Sequence, residues 1–163
     1  MNAATISDKP LWLRALPYLL SAWIAYVFVW YLQYKFFGHD GSVFLFTVLT
    51  DWFGFHGHET AMRIGVGTLE LIAAILCFIP RTQVIGAALT LGLMTGAIFF
   101  HLVTQLGIDP YEDGGKLFKE AVATWFVALA ILWLRRDEAI DLAARLPIVG
   151  GLAERALAGL RSA

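Results

Sequence analysis

Four stretches of this chain, at residues 16–37, 60–79, 83–106 and 117–134, are long, apolar and nearly free of charge. A bilayer core about 30 Å thick is crossed by roughly 20 apolar residues in a helix. Inside lipid the backbone has no water to bond, so a single continuous stretch satisfies itself only as a helix. The expected fold is therefore all-α, an integral-membrane bundle of four transmembrane helices within residues 1–136, followed by a cytoplasmic tail over 137–163. Composition agrees. Apolar residues are 59% of the chain and charged residues 15%, against roughly a quarter charged in soluble domains. The formal net charge is -1, and no basic, aromatic-interleaved stripe suggests nucleic acid. The lone Cys77 excludes an internal disulfide and a dithiol relay within the chain. The first stretch is too long for a signal-peptide core and lacks a small-x-small cleavage site, so it reads as retained.

Charge orients the bundle. Lys9, Arg14, Arg81, Arg135, Arg136, Arg145, Arg155 and Arg161 fall in the N-terminus, the Pro80-Arg81 turn and the tail. With four spans these segments share one side. The opposite side has a loop over residues 38–59 without Lys or Arg, and a loop over 107–115 carrying Asp109, Glu112 and Asp113. The positive-inside rule then puts both termini in the cytoplasm, in a bacterial inner membrane. Residues 42–53 are too short to span and rich in aromatics, and read as an interfacial or re-entrant helix on the outer side. In the tail, Leu152, Ala153, Ala156, Leu157 and Leu160 recur at helical spacing, as for an amphipathic segment on the inner leaflet or a docking helix for a partner.

Charge within a membrane costs about 2.5–3.5 kcal/mol at a helix centre on insertion scales, so such residues mark function by default. Glu70 lies about 15 Å into the second span, at 1.5 Å per residue. Arg63 is two turns outward on the same face. His101 sits in the outer part of the third span with Gln105 one turn beyond. Lys35 closes the first span above Tyr31. Lys116, Lys119 and Glu120 open the fourth. All lie between the midplane and the outer surface, and the inner halves look apolar. This predicts one polar pocket facing outward. Glu70 and His101 are its candidate proton-exchanging groups, a chemistry that suits carboxylate and imidazole. Lys35, Arg63, Tyr31, Gln105 and Glu120 are candidate ligand contacts. The three lysines equally suit snorkelling to headgroups, and Glu70 paired with Arg63 would serve helix register alone. Gly92 and Gly96 form a GxxxG step, for packing within the bundle or for a seam in a homo-oligomer. His56, His58 and Glu59 form an HxHE run. It is not a helical zinc pattern, so no metal is assigned.

These residues resemble the DoxX family of small four-span bacterial membrane proteins, from about Tyr18 to Asp141. The resemblance rests on Lys35 in YLQYKFFG, Glu70 in GVGTLELIAAIL, Arg81 after it, Met94 and His101 in LMTGAIFFHLV, Glu120 in KLFKEAVA and Asp141. Gln33 and Tyr34 stand where the family often has a glycine before its lysine, and the first loop is unusually long and aromatic. The resemblance implies association with membrane oxidoreductase assemblies and a membrane or periplasmic oxidoreductase as partner, and the one-sided polar pocket suits a quinone-like or other small apolar molecule. The related DoxD group includes a subunit of a thiosulfate:quinone oxidoreductase. Two other readings compete. One is a non-catalytic scaffold or chaperone that recruits partners. The other is a small transporter, which the one-sided polar region and the lack of inverted repeats disfavour.

Overall fold

A computed structural model describes residues 10–144. Over that range the chain forms six helices and no strand: α1 (Leu11–Phe36), α2 (Asp40–Trp52), α3 (Glu59–Phe78), α4 (Gln83–Val103), α5 (Lys116–Leu134) and α6 (Arg136–Ala144). Helices α1, α3, α4 and α5 are long and apolar enough to cross a membrane. The tail face from Leu152 to Leu160, with Lys9, Arg145, Arg155 and Arg161, lies outside the described residues. Two boundaries move from expectation. Helix α1 begins directly after Pro10 and continues through Pro17. Helix α4 stops at Val103, because Thr104 turns extended and bonds the Phe100 carbonyl through Oγ1 at 2.7 Å. Gln105 is therefore past the helix end and exposed, rather than one turn above His101.

The helices run up, down, up and down, with the main interfaces α1–α3, α3–α4, α4–α5 and α5–α1 closing a ring. Trp12, Leu19, Tyr26, Phe126 and Trp133 point outward, as lipid allows and water does not. Between helices the driving force is close packing and cross-helix hydrogen bonds, which favour small residues. Ala73, Ala74, Ala87 and Ala128 are accordingly buried with Ile24, Phe28 and Ile131 in the core. Gly86 is the tightest point. A Cβ there would sit 2.7 Å from the Cys77 backbone nitrogen, so glycine sets the α3–α4 distance. Indole–threonine bonds cross-link the ring: Trp23 Nε1 donates to Thr124 Oγ1 at 3.1 Å, and Trp125 Nε1 to Thr95 Oγ1 at 2.9 Å.

The end carrying the Pro80 turn is not simply apolar, as the sequence suggested. A buried polar knot closes it. The Gln83 amide donates to Ser21 Oγ at 3.1 Å and to the Cys77 carbonyl at 2.9 Å. Arg135 returns from α5 to donate to Gln83 Oε1 at 2.7 Å, and its Nε reaches Glu138 at 2.9 Å. Gln83 and Ser21 are fully buried, and the knot ties α1, α3, α4 and α5 at one level.

Valine at Gly86 is expected to force α3 and α4 apart and to cost about 1–3 kcal/mol, the usual range for overpacking. A lowered unfolding midpoint in detergent checks this, with Gly92→Val, where a Cβ meets nothing within 4 Å, as the control that changes little.

Candidate functional site

The opposite end begins with the last turn of α1. The chain leaves the helix through Gly38 in the left-handed region (φ +67°), while the His39 N–H bonds the Tyr34 carbonyl at 3.0 Å. This is the termination glycine permits. The freed Lys35 carbonyl accepts from the Arg63 guanidinium of α3, whose other partner is Glu59 one turn away. Arg63 is thus a buried clamp between α1 and α3. It is not the partner of Glu70.

That partner is Lys35. Its side chain turns inward, and Nζ lies 2.8 Å from Glu70 Oε2, with side-chain exposures of 13% and 7%. Among the described residues Lys35 is the one group that reaches the Glu70 carboxylate. The same ammonium stands 5.7 Å above the Tyr31 ring. Tyr31 donates from its hydroxyl to Glu120 Oε2 at 2.6 Å, joining α1 to α5. Lys116 approaches the other oxygen of Glu120 at 4.0 Å. His101 is 4% exposed, and its Nδ1 lies 2.6 Å from the Gly107 carbonyl. A carbonyl can only accept, so Nδ1 carries the hydrogen and the neutral ring keeps its lone pair on Nε2.

Glu70, His101, Lys35, Tyr31 and Glu120 line one cavity of about 720 Å³. Its remaining walls are mostly apolar, from Phe28, Phe46, Val66, Met94 and Phe100 among others. Arg63 and Gln105 do not line it. Lys116 lines it, while Lys119 is exposed away from it. The HxHE residues are dispersed: His56 pairs with Asp51 at 2.8 Å, and Glu59 pairs with Arg63. No metal-competent group of His, Cys, Asp and Glu assembles among the described residues. Gly92 and Gly96 line the cavity instead of packing against a helix, and a Cβ at either meets nothing within 4 Å. The sequence carried a signal for the Arg63–Glu59 pair in its i,i+4 spacing. It carried none for the lining by Trp30, Tyr34 and Tyr111, which depends on how helix ends meet.

Helix α2 and residues 104–115 roof the cavity. Phe46, Val48, Leu49 and Leu106 form a small core there with Met62, Val66 and Phe100. Trp52 meets Phe99 and Phe100 edge-on, with centroids 5.8 Å and 5.5 Å away. The Tyr111 hydroxyl donates to the Gly41 carbonyl at 2.7 Å, latching the loop to α2. The loop is shaped by Asp109. The N–H of Gly115, together with those of Gly114 at 3.1 Å and Asp113 at 3.0 Å, holds this carboxyl below its ordinary 3.8.

Two measurements test this end of the molecule. Because the Asp109 pKa is depressed on folding, its contribution is complete above pH 3.8 and fades as pH falls through that value toward its lower folded one. The protection factors of the Asp113 and Gly114 amides should therefore fall in acid, and Asp109→Asn should remove that fall. Breaking a buried ion pair from one side costs about 3–5 kcal/mol, whereas replacing both partners costs much less. Thermal unfolding should show Lys35→Met and Glu70→Gln each strongly destabilised, and Lys35→Met/Glu70→Leu partly recovered.

No curated protein and no solved structure matches this chain. The sequence model of the DoxX-like family does match, over residues 19–111. The match runs from α1 through α2, α3 and α4 into the roof loop, and so carries Lys35, Glu70 and His101. It covers more than half of the chain, which with its four apolar helices is a multi-pass membrane protein belonging to the DoxX-like family.

Proposed function

We propose that this protein binds a quinone-like molecule in the cavity at the α2 end and exchanges protons with it, as a membrane subunit of an oxidoreductase assembly. One observation carries the reading: a cavity with largely apolar walls ends on a buried Lys35–Glu70 pair, a Tyr31–Glu120 bond and His101. Ligand sites are commonly clefts of about 300–1,000 Å³, apolar with a few convergent polar groups. In this reading a quinone oxygen faces Lys35, whose ammonium stabilises developing negative charge. Reduction takes up two electrons and two protons. The electrons come from a partner redox subunit and the protons from the outer aqueous side, and Glu70 and His101 relay the protons to the ligand, each taking one up before it gives one. His101 Nε2 is the atom able to accept one.

The positive residues Arg14, Arg81, Arg135 and Arg136 lie at the knot end, and Asp109, Glu112 and Asp113 at the roofed end. They support a bacterial inner-membrane protein with both termini cytoplasmic and the cavity near the outer face. A second reading is a non-catalytic scaffold. It is favoured by Lys35–Glu70 and Tyr31–Glu120 bridging different helices, where they could serve cohesion alone. In it, residues 137–163 form the partner-binding tail.

Quinone binding to the protein in lipid nanodiscs, followed by quenching of tryptophan fluorescence, separates the two. Trp30 lines the cavity and serves as reporter. Glu70→Gln and His101→Ala are each expected to weaken binding about tenfold, or about 1.4 kcal/mol. Unchanged binding in both would remove the proposed site. Loss of a co-purified partner on deletion after Asp137, with no quinone binding by the wild type, would favour the scaffold.

A further inference from the structure

We infer that the cavity is entered sideways from the bilayer, through a mouth on α4 floored by Ala88, Gly92 and Gly96. The ligand class that fits is a polar headgroup on a long aliphatic or isoprenoid tail, with the tail left in lipid. This rests on the proposed binding of a ligand in the cavity and adds its route and its shape.

Both ends of the bundle carry a cap, with His39, Asp113 and Lys116 of the lining exposed at the roofed one. At one, α2 and the 104–115 loop form the roof, latched by Tyr111 on Gly41. At the other, Gln83, Ser21 and Arg135 form the buried knot. Between them the cavity lining follows α4 away from His101, through Gly96 and Gly92 to Ala88. Ala88 and Gly92 also lie on the exposed surface of the bundle, within a helix apolar enough to span. The space beside Gly92 and Gly96 is open because neither carries a Cβ. Gly92 is nine residues from His101, about 14 Å along the helix axis. The opening is thus about half the bilayer core from His101 and at the depth of Glu70.

A second feature favours a polar occupant in the same space. Glu70 is 5% exposed and lines the cavity, and Lys35, 2.8 Å away, is the one partner of its carboxylate among the described residues. A carboxylate has about four acceptor sites, so a headgroup bearing a hydroxyl still finds one there. A molecule whose polar end lies by Lys35 and His101 and whose other end leaves past Gly92 into lipid must be amphiphilic and elongated.

The test compares two probes in nanodiscs: ubiquinone with a long isoprenoid tail and the tail-less ubiquinone headgroup. Gly92→Leu/Gly96→Leu is expected to weaken the long-tailed probe at least tenfold and to leave the headgroup within about twofold. Gly92→Cys, alkylated after folding with a bulky maleimide, should do the same without any demand on folding, since Cys77 is fully buried and does not compete. Equal effects on both probes, or none, would overturn the lateral route while leaving the site itself intact. A wild type that binds neither probe would overturn the site as well. Conversion of a wild-type dimer to a monomer by the same substitutions, with binding unaltered, would assign the small-residue surface to a second copy of the chain and overturn the inference.

Discussion

A buried ammonium and a buried carboxylate have to find each other, and in this bundle that requirement aligns α1 with α3. Desolvating either ion alone costs several kcal/mol. Lys35 and Glu70 meet only if the last turn of α1 stands beside the middle of α3. Arg63 makes the alignment redundant by holding the Lys35 backbone carbonyl. With α1 so placed, Tyr31 faces Glu120 and fixes α5. The pair therefore does more than neutralise charge, because the register of three helices follows from it.

The two ends of the bundle use polarity in opposite ways. At the knot, hydrogen-bonding groups are matched to one another: Gln83 donates twice and accepts once, with Ser21, Cys77 and Arg135 as partners. Among the described residues no buried side-chain donor or acceptor is left over there, and the helices close on small residues. At the α2 end the groups are under-matched. Among the described residues Glu70 has Lys35 as its one partner, and His101 uses one ring nitrogen. Satisfied polar groups rigidify a core, and partly satisfied ones invite something else to complete them.

The spans were legible because length and apolarity speak for themselves in a lipid-spanning helix. The enrichment of polar residues toward one end was legible for the same reason, since each costs too much to be incidental. Partnerships were not. Lys35 and Glu70 are separated by a loop and helix α2, and no local spacing says which cation a mid-span glutamate will meet. Arg63 lies on the correct face and is diverted by Glu59, one turn away. Gly92 and Gly96 were ambiguous in principle, because a small-residue step reads the same whether it admits a helix or leaves a gap. Gln83 looked like a polar residue at a helix start, and its partner Arg135 comes from the turn after α5.

The Gly107 carbonyl has a consequence for traffic through the bundle. With its Nδ1 hydrogen committed to that carbonyl, the imidazole is a cul-de-sac rather than a corridor. A proton landing on Nε2 does not pass through the ring, since the peptide carbonyl bonded to Nδ1–H is too weak a base to take the matching proton. It must depart through the same door. A histidine held this way stores charge without conducting it, and a membrane protein can keep one in a cavity without opening a leak.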